Sequence, residues 1–98
     1  WRVFLEKYPV VLCPVSGQLP FTDLLDLESQ TEFDKIIEAQ MLQIGLPFMG
    51  LPCLTVTTGR VDASPIGVQL VASHFREDLL LDIGEIVGQN IRAVSPEF

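Results

Sequence analysis

The side chains able to do chemistry are few in this sequence and poorly spaced for it. His74 is the only imidazole, and Cys13 and Cys53 are the only thiols. A thiol beside an imidazole makes a reactive nucleophile. Nothing in the spacing brings the three together, and Cys53 adjoins an apolar strand, so a loop histidine and two inert thiols are the plainer reading. Zinc needs three or four ligands at recognised spacing, which one histidine and two separated cysteines do not supply, and no metal site is expected. Serine occurs at positions 16, 29, 64, 73 and 95, and lysine only at 7 and 35. A serine attacks only when a neighbour takes its proton and backbone donors meet the developing oxyanion. Ser16-Gly17, between Pro14 and Pro20, has the form of a catalytic loop, but a turn between strand and helix explains it with less. Glu77-Asp78 has the makings of an acid–base pair. Two carboxylates in the first turn of a helix, facing the positive end of its dipole, explain it without further assumption.

The elements that must position these residues follow from periodicity. Trp1 to Lys7 reads as the end of a helix, stopped at Tyr8-Pro9 because a residue before proline leaves the α region. Val10-Val11-Leu12-Cys13 is wholly apolar and suits a strand buried on both faces, as in an α/β sheet. Ser29-Gln30-Thr31-Glu32 has the form of a capping box. Behind it Phe33, Ile36, Ile37, Gln40, Met41 and Ile44 recur at helical spacing, ending near Leu46 because Pro47 cannot continue the helix. After Gly50-Leu51-Pro52 the chain alternates, with Leu54, Val56 and Thr58 on one face and Thr55 and Thr57 on the other. Ile66 to Ala72 is a second strand, pairing as a hairpin across a loop of moderate length from Gly59 to Pro65. A last helix starts near Arg76, with Leu79, Leu80, Ile83, Ile86 and Val87 as its stripe. Gly84 and Gly88, one turn apart, cost helix stability and point to close approach against a sheet or another helix. The expected fold is α/β: a partial mixed sheet of about three strands (Val10–Cys13, Leu54–Thr58, Ile66–Ala72), flanked by two to three helices, two of them at about 29–46 and 76–89.

Composition sets the outer limits. Ninety-eight residues make a single unit, 1–98, too small to hide the apolar surface implied by 48% hydrophobic residues. The excess is expected to face a partner: the rest of a larger protein, or a second copy in a homo-oligomer. Thirteen acids against six Lys or Arg give a net charge of −7, which argues against nucleic acid and anionic membranes as partners. The acids between Asp23 and Glu38, opposed only by Lys35, match no calcium loop and read as a solvated face. No apolar run approaches the ~20 residues that span a bilayer. Two thiols in an acidic chain suit a reducing compartment, so a cytoplasmic setting is expected.

Three blocks together resemble the closing segment of the amidase signature family, serine hydrolases that cleave carboxamides. The first is Tyr8 to Val15. The second is Gly50-Leu51-Pro52 with its strand, and the third is Pro65-Ile66-Gly67-Val68-Gln69-Leu70 with Phe75-Arg76-Glu77-Asp78. Ala93-Val94-Ser95-Pro96 also resembles the tail of bacterial members. The resemblance implies a C-terminal fragment of an amidase domain, with the catalytic part upstream: a nucleophilic serine, a second serine held by a cis peptide, and a lysine base. None of the serines here has the glycine-rich flank of that signature, so no catalytic residue and no cofactor is expected in this chain. It implies also that the helix before the Gly-Leu-Pro turn borders the acyl pocket, where Gln40, Ile44 and Phe48 share one face, although ordinary core packing explains the same spacing. Pro47 stands where members often have asparagine, and Thr57-Thr58-Gly59 replaces a Pro-x-Gly, so substrate class is not carried over. On this reading the chain is a structural, pocket-closing part that is inactive alone. The alternative is a stand-alone binding or assembly module on an amidase-derived scaffold.

Overall fold

The computed structural model describes residues 1–89; the Ala93-Val94-Ser95-Pro96 segment lies outside them. The elements run α1 (Arg2–Lys7), β1 (Val10–Pro14), a 3-10 turn (Leu25–Leu27), α2 (Gln30–Ala39), α3 (Met41–Phe48), β2 (Cys53–Val61), β3 (Ser64–Ala72) and α4 (Glu77–Val87). This is the expected α/β fold with three strands, but with four α-helices instead of two to three.

The sheet order is β1-β3-β2, and both pairings are antiparallel. The sheet is therefore not mixed. β1 and β2 do run the same way, as a helical crossover between them requires. The hairpin return of β3 fills the space between them, so no parallel pair forms. β3 pairs Leu12 with Leu70 on one side and Leu54 with Leu70 on the other. The hairpin turn is two residues, Asp62 and Ala63, shorter than expected, with Asp62 at φ 54°. Two-residue hairpins call for left-handed backbone, and aspartate tolerates it. Pro65 extends β3 because β1 reaches only as far as Val68 on that strand, leaving no partner to miss its N–H.

Alternation along the strands divides the core in two. On one face Leu70 and Ala72 pack with Leu80 of α4, joined by Val10, Leu54, Val56, Ile83 and Val87. On the other, Val71 packs with Leu5 of α1, Leu46 of α3 and Leu51, joined by Val11 and Cys13. Leu70 and Val71 are each 1% exposed, and burial of such a side chain contributes about 1.5–3 kcal/mol. β1 is not buried on both faces: α4 packs on β2 and β3, and Leu12 stays 59% exposed.

Glycine permits the close approach of α4. A Cβ on Gly84 would collide with Leu54 Cδ2, and one on Gly88 would lie 3.3 Å from Val56 Cγ1. Gly67 is less forgiving, since its Cβ would strike the backbone carbonyl of Val56 rather than a side-chain tip.

The long helix expected at 29–46 is two helices, broken at Gln40 (φ −98°, ψ 12°). Ser29 caps α2 by accepting the Glu32 N–H at 3.2 Å, while Glu32 turns its carboxylate to Lys35 at 3.1 Å, so half of the capping box forms. α3 continues past Leu46 to Phe48 with Pro47 inside it. Its end is secured from the far side. Gly50, at φ 72°, donates its N–H to Pro47 O (2.9 Å), and Leu51 donates to Leu46 O (3.4 Å). That is a Schellman closure, with Leu51 and Leu46 in its hydrophobic contact. The three residues of Gly50-Leu51-Pro52 thus divide the work between a left-handed turn, a core contact and the exit from the helix.

The glycines give a paired test by chemical denaturation. A Cβ on Gly45 would meet no atom within 4 Å, so Gly45→Ala is expected to stabilise by about 0.5–1 kcal/mol. Gly67→Ala is expected to destabilise by about 3 kcal/mol, because backbone rather than a side-chain tip must move.

Candidate functional site

A sizeable concavity opens on the α3 side of the sheet. It is an open cleft of ≈ 840 Å³ lined by residues 14–21, Gln40, Gln43, Thr55, Thr57 and residues 65–67. Its origin is local. Thr55 and Thr57 alternate away from Leu54 and Val56, and because no helix covers that end of β2 they stay exposed. The break between α2 and α3 puts Gln40 and Gln43 on the rim. The segment after β1 forms the opposite wall, held by Ala39 O at the end of α2. That carbonyl accepts the Gly17 N–H at 2.7 Å and the Ser16 hydroxyl at 3.4 Å. The Ser16 Oγ also accepts the Gln18 N–H at 3.3 Å. Ser16 is therefore a tether, which is the turn reading of Ser16-Gly17.

Of the three residues expected to border an acyl pocket, Gln40 lines the cleft. Ile44 and Phe48 follow it along α3, 45% and 91% exposed, and are not among the lining residues. Gln43, Thr55 and Thr57 complete the polar lining without having been singled out from sequence. The period-two alternation of β2 was the signal for the threonines, and i+3 spacing from Gln40 for Gln43.

The other candidates stand apart from the cleft. Cys53 Sγ donates to Leu51 O at 3.5 Å, and Cys13 Sγ accepts from Gln69 Nε2 at 3.7 Å. Partial burial, with Cys13 nearby, raises the Cys53 thiol above its ordinary pKa, which lowers its thiolate fraction and its reactivity. His74 instead lies beside the Gly50 turn, where a Cβ on Gly50 would be 3.6 Å from its Cε1. The two cysteines flank β3, so two interstrand spacings, about 9–10 Å, separate their strands. A disulfide needs Cα atoms within about 7 Å, and both thiols are free. At the start of α4 Arg76 Nε donates to Asp78 Oδ1 at 3.1 Å. That bond, then the Leu79 N–H, holds the Asp78 carboxyl below its usual range, the opposite of what a general acid requires. Lys35 is paired with Glu32, and Lys7 Nζ lies 5.5 Å from the centre of the Tyr8 ring. Neither lysine hydrogen-bonds a serine among the described residues.

With this geometry in hand, known proteins supply the frame. Compared with models of protein families, the chain matches none. It is 37% identical over 83 residues to indoleacetamide hydrolase of Bradyrhizobium japonicum, covering 84% of this chain and 18% of that protein. It is 38% identical over 86 residues to 6-aminohexanoate-cyclic-dimer hydrolase of Paenarthrobacter ureafaciens, covering 85% and 17%. The solved structure of 6-aminohexanoate cyclic dimer hydrolase superposes with a TM-score of 0.63 at 29% identity, over 98% of this chain and 22% of that one. These homologues are amidase-signature enzymes. The chain spans less than a fifth of the length of the curated relatives it matches. These relatives are amidases acting on carbon–nitrogen bonds. Among the described residues, no helix is long and apolar enough to cross a membrane.

Two measurements check the site chemistry. After unfolding without reductant, both cysteines should alkylate; a mass short of two adducts would contradict the free-thiol geometry. The folded pKa of Asp78 lies below the unfolded value near about 3.9. Its stabilising contribution is therefore present at neutral pH and lost as pH falls through the lowered folded value. Asp78→Asn should melt slightly earlier than the parent chain at pH 7, and the difference should shrink as pH falls through the lowered folded value.

Proposed function

We propose that this chain is the C-terminal part of an amidase that hydrolyses carboxamides, completing its sheet and closing one side of its substrate pocket. The observation that carries the reading is the pairing of amidase relatives aligned across most of the chain with a fold whose apolar surface is largely uncovered. Among the described residues seven hydrophobic side chains are buried and eighteen large ones are exposed, the balance of a surface made to meet more protein. Val3, Leu12, Leu27, Phe48, Phe75 and Ile86 are each more than half exposed. The principal partner is then the rest of the parent amidase, which brings the serine nucleophile, the cis-peptide serine and the lysine. Gln40, Ile44 and Phe48 belong to the wall that meets the acyl group or the upstream chain. The free thiols suit a cytoplasmic setting.

The test is direct. The 98 residues, offered a panel of amides, should hydrolyse none above background, while the complete product of the reading frame that carries them should turn over at least one. Hydrolysis by the 98 residues alone would overturn the placement of catalysis upstream.

A second reading is favoured by the same exposed side chains: a stand-alone binding or assembly module that pairs with itself. A start codon directly before Trp1 supports it, and an upstream reading frame of several hundred codons supports the first. On either reading the isolated chain should self-associate, and a monomer by light scattering at high concentration would contradict that.

A further inference from the structure

The cleft has one property that its surroundings do not. Although nineteen of the 98 residues are charged, no charged side chain among the described residues lines it. Its polar groups are all neutral: the carboxamides of Gln40 and Gln43, the hydroxyls of Thr55 and Thr57, and Ser16 and Gln18 on the tethered wall. The rest of the lining is apolar, from Val15, Leu19, Phe21, Ile66 and three prolines. At ≈ 840 Å³ the space is of the size that holds small and medium molecules.

Physical chemistry limits what such a lining accepts. A carboxamide offers two N–H donors and an acceptor oxygen, and a hydroxyl offers one donor and its lone pairs. Together they match a neutral group that both donates and accepts. A carboxylate or ammonium entering the cleft would shed water and find no opposite charge among the described residues that line it, a penalty that hydrogen bonds to neutral groups offset only in part.

We infer that this cleft selects a neutral acyl portion carrying its own amide or hydroxyl group, against carboxylate- and ammonium-bearing acyl portions of the same length. The inference rests on the amidase reading above and adds the substrate class. Gln43 is the specificity residue on which it turns, since its exposed side chain on the rim of α3 is changed with least disturbance to the core.

The experiment uses the complete product of the reading frame and three acyl-amide substrates of equal length, ending in a carboxamide, a carboxylate or an ammonium. The terminal carboxamide should be preferred in kcat/KM by at least about tenfold, the scale of one hydrogen bond made or lost. Gln43→Leu should shrink that preference by about tenfold, and Gln43→Glu should shift it toward the ammonium substrate. Equal turnover of all three, preference for a charged one, or an equal loss on every substrate in Gln43→Leu would overturn the selection while leaving the amidase reading standing. No hydrolysis of any amide would overturn both.

Discussion

Strand β3 is the constraint on which the rest of the structure depends. Among the described residues it is the only strand with partners on both edges, and its successive residues Leu70 and Val71 anchor opposite cores. A strand alternates its side chains strictly, so this two-residue step fixes where α4, α3 and α1 must lie. A shift of one residue in register would exchange the two cores and place Gln69 against α4. Gly67 guards that register from within, because its missing side chain lets the Val56 carbonyl close over it.

The two faces of the sheet are finished differently, and the functional consequences follow from that. The α4 face is tightly packed over β2 and β3, with glycine at the contacts. The α3 face is covered only toward Leu51 and Val71, and its other end is left to Thr55, Thr57 and the cleft. Packing thus supplies rigidity on one side and a recess on the other. The recess lies where a break in a helix, the exposed end of a strand and a tethered loop meet.

Much of this was legible in the sequence because local rules decided it. The Gly-Leu-Pro turn, the Ser29 cap, the alternation of β2 and the acidic start of α4 each depend on residues within a few positions of one another. The paired glycines of α4 announced close approach, and the sheet fulfils it. The misses lay where distant segments compete. Val10 to Cys13 reads as a doubly buried strand, but burial depends on which helix covers it, and α4 stops at β3. The apolar stripe of α2 and α3 looks continuous, yet the chain breaks at Gln40 so that α3 can reach Val71 while α2 buries no residue. Pro47 reads as a stop, but the closure at Gly50 and Leu51 outweighs the one hydrogen bond it removes. Of the cleft, Gln40 and the Ser16-Gly17 turn were visible beforehand. Thr55 and Thr57 matter through what fails to cover them, which no local pattern records.

The Ala39 carbonyl has a wider bearing. Because it receives both Gly17 and Ser16, the loop that walls the cleft is pinned to the same helix end from which Gln40 projects. The two flanks of that corner are therefore fastened to one helix end. On the proposed reading of the cleft, a bulkier guest would be accommodated by the opposing side, where Pro65 and Ile66 lie beyond the reach of β1 and lean on β2 alone.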